Sequence, residues 1–241
     1  MLTKFKFSLT VSWLFLCLVA TAQAGIAPGT GVVGSVHDMN MFAFVMKDPY
    51  QRVCNFCHVP HEANASMGML WNPALDSANS GMKPYTWATP PNMLLPQNFD
   101  PLIGPSRLCM TCHDGVIAID AHGDKMPSAY VISKNFDITH PIGFSYDDAM
   151  MARGDGELVD KSQHFASSIK ISETEGQYNA VTRNINTRII DVLYKGSIVT
   201  CCTCHDVHNK ENVAPDAGHE YNFLLWAKEE QSLLCLSCHI K

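Results

Sequence analysis

The pattern Cys-x-x-Cys-His occurs four times in this chain: Cys54-Asn55-Phe56-Cys57-His58, Cys109-Met110-Thr111-Cys112-His113, Cys201-Cys202-Thr203-Cys204-His205 and Cys235-Leu236-Ser237-Cys238-His239. Nothing else in its 241 residues constrains the fold as strongly. The spacing suits covalent attachment of a c-type haem. Two thiols must each add to a vinyl group on one porphyrin edge, while the imidazole of the next residue reaches the iron from beneath the ring. On this reading Cys54, Cys57, Cys109, Cys112, Cys201, Cys204, Cys235 and Cys238 bind four haem c groups, and His58, His113, His205 and His239 are the proximal iron ligands. Zinc is the competing reading, because paired Cys-x-x-Cys units form tetrahedral thiolate sites and redox dithiols share the spacing. With eleven His in 241 residues, chance puts a His behind all four units about once in 10⁵ trials or less. Haem is therefore expected.

Four proximal ligands leave seven other His, enough to cap every iron on its second face. His61 and His208 each follow a proximal His by three residues. A chain fixed beneath a porphyrin by two thioethers and an imidazole cannot pass round the ring in so short a span. Such a His either serves a neighbouring haem, which forces two porphyrins close together, or merely hydrogen-bonds a propionate or carbonyl. His140 precedes Pro141, which holds it in extended backbone and presents its ring from a loop. His37 opens an amphipathic stretch, Asp38 to Met46, with Asp38 as its helix cap. His37, His61, His140 and His208 are the expected distal ligands. His122, His164 and His219 lie in polar or Gly- and Asp-bearing segments and read as exposed or outer-sphere residues. Methionine ligation would raise a haem's potential, but with imidazole sufficient it is not expected. Cys202 reads as a small packed side chain, with a reactive or intermolecular role as the alternative.

Lys4 and Lys6 precede an apolar run from Phe7 to about Ala20, followed by Ala22-Gln23-Ala24. This is the pattern of a secretory signal peptide, residues 1–24, cut after Ala24. A retained anchor is the lesser alternative, because a membrane span needs about 20 apolar residues. No other stretch predicts stable membrane insertion. Export agrees with haem attachment outside the cytoplasmic membrane and points to the periplasm, the outer-membrane surface or the extracellular space. Without the leader, 15 basic side chains face 23 acidic ones, a net charge of -8. That surface disfavours nucleic acid and anionic membranes as partners.

About 54 residues per haem is too little polypeptide to give each porphyrin its own domain, so the haems must form much of the core. A single tetrahaem domain, 25–241, is expected. Its motifs start at 54, 109, 201 and 235, which suggests two pseudo-halves, about 25–150 and 151–241, each opened by a motif with a trailing His. Short helices are expected after His37 and over Leu225 to Leu236. Pro73, Pro84, Pro90, Pro91, Pro96, Pro101 and Pro105 predict an irregular wrap. Ile185 to Thr200 is β-prone and reads as a hairpin around Lys195-Gly196 that feeds the third motif. Trp71 and Trp87 are expected to pack on porphyrin or core. The fold class is thus a multihaem cytochrome c: mostly irregular chain, with short helices and a small β-hairpin, wrapped around a stack of four haems.

Several phrases carry a family likeness: Gly34-Ser35-Val36-His37-Asp38, Cys54 to His61 followed by Leu70-Trp71-Asn72, and Ser106-Arg107-Leu108 with Asp114-Gly115 around motif two. His140-Pro141 and Cys204-His205-Asp206-Val207-His208-Asn209 complete the set. In these the chain resembles the multihaem cytochromes c of the doubled C-x-x-C-H class, and among them the tetrahaem outer-membrane cytochrome E group of metal-reducing bacteria. The phrases span about residues 30 to 239, but few fall between 151 and 195. The resemblance implies bis-His ligation of all four haems, with one iron open to a His from an adjacent subunit, and self-association into extracellular filaments. Electron transfer, not enzymatic turnover, is the expected function. Other cytochromes or extracellular acceptors such as metal oxides are the expected partners. The rival is a small multihaem reductase acting on nitrite or hydroxylamine, which needs one open iron with acid or base groups beside it. All four motifs here end in His, whereas enzymes of that sort often replace the proximal His with Lys.

Overall fold

A computed structural model describes residues 31–63, 65, 68–71, 100–115, 127–128, 131–132, 136, 139–154, 156–165, 187–210 and 223–241. Residues 1–24, Pro73, Pro84, Trp87, Pro90, Pro91, Pro96, His122 and His219 lie outside them. Among the described residues regular structure is short, with five α-helices: α1 (Pro105–His113), α2 (Tyr146–Arg153), α3 (Ile189–Val192), α4 (Cys201–Cys204) and α5 (Leu233–Leu236). Three 3₁₀ turns join them, at Met39–Met41, Val53–Phe56 and Glu230–Ser232. Among the described residues β pairing is limited to isolated bridges, and no helix is long and apolar enough to cross a membrane.

Helix α1 carries motif two in its last turns. Pro105 at its first position has a backbone preset for the helix and lacks only an N–H that would go unpaired there. Gly104 before it has φ +58°, and a Cβ there would lie 2.7 Å from the Tyr194 ring, so both the backbone and the space call for glycine. Fully buried Ser106 accepts a hydrogen bond at Oγ from the Cys201 N–H, 3.1 Å away, which ties α1 to α4 and so motif two to motif three. Helix α2 starts from Ser145, whose Oγ accepts the Asp148 N–H. Asp147 and Asp148 lie in its first turn and Arg153 in its last, complementing the helix dipole at both ends. The Tyr146 hydroxyl donates to the Val159 carbonyl at 2.7 Å. Val159 in turn donates its N–H to the Cys238 carbonyl, so α2 supports the last motif.

The main apolar core gathers Phe144, Tyr146, Phe165, Ile189, Leu193 and Leu233 with their neighbours, all from residues 142 onward. Among the described residues around motifs one and two, Met39 with Val45, and Leu102 with Met110 and Phe136, form small buried clusters.

Three expectations need correction. The hairpin over 185–200 keeps only its turn: Lys195 and Gly196 are both left-handed, at φ 53° and 68°, and Tyr194 pairs with Ile198 across them. The first arm coils instead into α3, because Asp191 reaches back to accept the Arg188 N–H at 3.0 Å. The second arm pairs elsewhere, with Gly143 donating to Val199 and Tyr146 to Ser197. The helix expected over Leu225 to Leu236 shrinks to α5. Leu225 is bridged to His205, and Gln231 and Ser232 turn left-handed before the last motif. After His37 only Met39–Met41 coils, although Asp38 does cap it by accepting the Asn40 N–H.

Candidate haem-binding site

Each motif adopts a single helical turn. The His58, His205 and His239 N–H groups donate to the carbonyls of Cys54, Cys201 and Cys235, at 2.8, 3.1 and 2.9 Å, and motif two is part of α1. Residues three apart on such a turn share a face, so the paired thiols face one side and the next residue's imidazole stands beside them. This geometry suits two adjacent vinyl groups and an iron. All nine described cysteines are free thiols.

Consecutive motifs lie next to one another. Cys112 is close enough to Cys57 to raise its thiol pKa, and Cys235 and Cys238 do the same to Cys204, though burial is the larger cause in both and takes each to about 12. Between motifs two and three the thiols touch: Cys109 donates to Cys201 and Cys202, which raises its own pKa and lowers theirs. Cys202 is thus a partly buried thiol packed at the junction of two attachment sites.

Two pairs of imidazoles face each other across a gap. His37 and His113 have ring centroids 6.2 Å apart and inclined by 64°, and His140 and His239 are also 6.2 Å apart, inclined by 68°. A bond from imidazole nitrogen to a transition metal is about 2 Å and the nitrogen lies about 1.1 Å from its ring centre, so two rings trans on one iron stand roughly 6.2 Å apart. The observed spacing lies in the edge-to-face range of two neighbouring rings and equals the span that two imidazoles on one iron would need. In each pair one ring belongs to a motif and the other to a distal candidate.

Three candidate imidazoles, one of them from these pairs, have a fixed tautomer. His58 Nδ1 lies 2.7 Å from the Met69 carbonyl, His205 Nδ1 2.8 Å from that of Phe223, and His140 Nδ1 2.8 Å from that of Pro141. A carbonyl only accepts, so Nδ1 carries the proton and Nε2 keeps a free lone pair, the form that binds a metal. Burial, and after it the nearby imidazoles of His113, His205 and His208, holds His37 down at about 4. Burial also lowers His205 and His239. These rings are therefore neutral at pH 7, as ligands must be. Two of the four motifs thus have an imidazole from a distal candidate facing their own, an arrangement that fits axial ligation of a porphyrin iron.

The remaining candidates are placed less completely. His61 and His208 are exposed. His208 lies near His37 and donates its backbone N–H to Asp206, while the ring beside His58 is Trp71, edge-on at 5.6 Å. His164 is exposed and bridged to Arg188, as expected of an outer residue. Among the described residues no three His, Cys, Asp or Glu side chains converge on a bare-ion site. A cleft of about 560 Å³ opens beside motif four, lined by Gln231, Ser232, Cys235, Leu236, His239 and Lys241. The carbonyl partners Met69 and Phe223 were not foreseen. A signal for them does exist in the similar phrases Met69-Leu70-Trp71 and Phe223-Leu224-Leu225-Trp226, each following a motif with a trailing His.

No protein-family model matches this chain, and a search of curated proteins returns no match either.

Proposed function

We propose that this chain is an exported electron-transfer protein that carries four covalently bound haem c groups and conducts electrons to other cytochromes or to extracellular acceptors such as metal oxides. The observation that carries the reading is the 6.2 Å spacing in two His pairs, each joining a motif His to a distal candidate far away in sequence. Bound haem would supply one-electron chemistry at iron, and the chain would set where and at what potential this happens. Eight cysteines would fix the porphyrins, and adjacent motifs would hold them close. Neutral imidazoles with Nδ1 tied to carbonyls would favour the ferric state and a low potential relative to methionine ligation. Self-association into filaments follows from the family resemblance and belongs to the same proposal.

Electron paramagnetic resonance of the oxidised holoprotein, as purified subunit and as any assembled form, tests this. Low-spin iron throughout supports the conduit, and one high-spin iron that turns low-spin on assembly supports a ligand lent by a neighbour. A second reading, the small reductase with an open iron, draws on Trp71 rather than an imidazole lying beside His58. High-spin iron that persists in both forms and responds to nitrite or cyanide would favour it.

A further inference from the structure

Downstream of motifs one and three lie two short stretches, 69–71 and 223–225, that share a local geometry. In the first, the Met69 carbonyl takes the Nδ1–H of His58, the Leu70 carbonyl takes the Val59 N–H at 2.8 Å, and Trp71 bridges to His58. In the second, the Phe223 carbonyl takes the Nδ1–H of His205, the Leu224 carbonyl takes the Asp206 N–H at 2.6 Å, and Leu225 bridges to His205. The acceptor lies 11 residues after its His in one case and 18 in the other, so loop length does not impose the match.

All four carbonyl-bearing residues are left-handed: φ is 49° at Met69, 55° at Leu70, 58° at Phe223 and 59° at Leu224. Bulky non-glycine residues rarely adopt this conformation, and two in succession are rarer still. Strain of this kind persists where the surroundings over-determine it, commonly at a working site. Burial explains it at most for Leu224, which is 7% exposed, since Met69, Leu70 and Phe223 are about half or more exposed, at 61%, 54% and 47%. What the left-handed pair does achieve is to aim two successive carbonyls at one residue pair, the motif His ring and the next backbone N–H.

We infer that Met69–Leu70 and Phe223–Leu224 are a duplicated clamp that positions the motif-one and motif-three imidazoles, holding each ring's tautomer and angle toward its iron. These are positioning residues, and they act through His58 and His205. The inference rests on the haem reading, and it adds that these two ligands are tuned by one device built twice.

Leu70→Pro tests it in the exported, haem-loaded full chain. Proline fixes φ near -65° and pushes the residue before it toward extended backbone, which withdraws both carbonyls together. Leu70→Gly keeps the left-handed geometry at no steric cost and is the rescue control. The expected result is covalent haem equal to wild type in both variants. In Leu70→Pro alone, one low-spin ferric signal changes its g-values and one midpoint potential moves positive, as an imidazole without its carbonyl partner is a poorer donor. Wild-type spectra and potentials in Leu70→Pro, or the same change in Leu70→Gly, would overturn the clamp. If Leu70→Pro fails to accumulate, proton exchange at His58 and His205 Nδ1–H in the reduced wild-type holoprotein decides. Strong protection supports the clamp, and exchange at the rate of a free imidazole refutes it. A wild-type chain that carries no covalent haem would sink the haem reading itself, and the clamp with it.

Discussion

On the proposed reading, replacing His37 with alanine removes one face of one iron site and leaves the rest of the site in place. The His37 ring stands 6.2 Å from that of His113, so the variant leaves a gap one imidazole wide opposite His113. The cost to the polypeptide is small. The side chain is half-buried and its Nδ1 has no hydrogen-bond partner. Losing its apolar contact costs about 1 kcal/mol at roughly 25 cal/mol per Å². Removing a desolvated, unpaired nitrogen returns about 1–3 kcal/mol. These oppose each other, so the chain folds and takes up haem, and what changes is iron coordination. One iron of four turns high-spin, lowering the low-spin signal by about one quarter if each of the four motifs holds one haem. Free imidazole fits the gap and restores the signal as it is titrated in. The exposed His164 serves as control, since His164→Ala leaves every iron low-spin. Four low-spin irons in His37→Ala purified without imidazole would refute the pairing of His37 with His113.

Three further outcomes follow from the packing and charge around the sites. Ile189 is fully buried in the main core, so Ile189→Ala lowers unfolding stability by about 2–5 kcal/mol, and a denaturant midpoint unchanged from wild type would contradict that core. Gly104→Ala forces a Cβ against the Tyr194 ring at φ +58° and costs about 1–3 kcal/mol, visible as a lower melting temperature of the holoprotein. The Arg52 guanidinium, with a 2.6 Å hydrogen bond to Asp48, holds the Asp48 carboxyl at about 2. Because the folded value is depressed, the stabilisation is full above the ordinary carboxylate pKa near about 4 and is lost as pH falls toward about 2. Asp48→Asn should therefore flatten the acid side of the melting profile relative to wild type, and parallel profiles would show that the pair contributes nothing.

The proposed attachment residues stand out because covalent haem chemistry dictates both residue type and spacing, and a pattern confined to five residues survives any tertiary context. The proposed partners of each iron are legible only as a pool. His37 and His113 are 76 residues apart, and His140 and His239 are 99 apart, and nothing local to either residue encodes the pairing. Local chemistry also read well where one side chain sets the backbone, as with the Asp38 cap and the Lys195-Gly196 turn. It failed where tertiary partners compete with propensity. Arg188-Ile189-Ile190 has the composition of a strand, yet Asp191 caps it into a helical turn and Ile189 is drawn into the core. Across its own turn the segment keeps only the Tyr194–Ile198 bridge, and Ser197 and Val199 pair with residues 143–146 instead. The left-handed carbonyls at Met69 and Phe223 ran against every propensity of methionine and phenylalanine, and only the geometry displays them.

The central claim is that the four motifs carry covalent haem. Denaturing intact-mass analysis of the exported chain, with peptide mapping of its cysteines, tests this most directly. The account predicts a chain beginning at Gly25 with four haems in thioether linkage to Cys54, Cys57, Cys109, Cys112, Cys201, Cys204, Cys235 and Cys238, and with Cys202 as the one thiol that alkylates. A haem-free chain whose motif cysteines all alkylate, or one that releases zinc as they do, would contradict it.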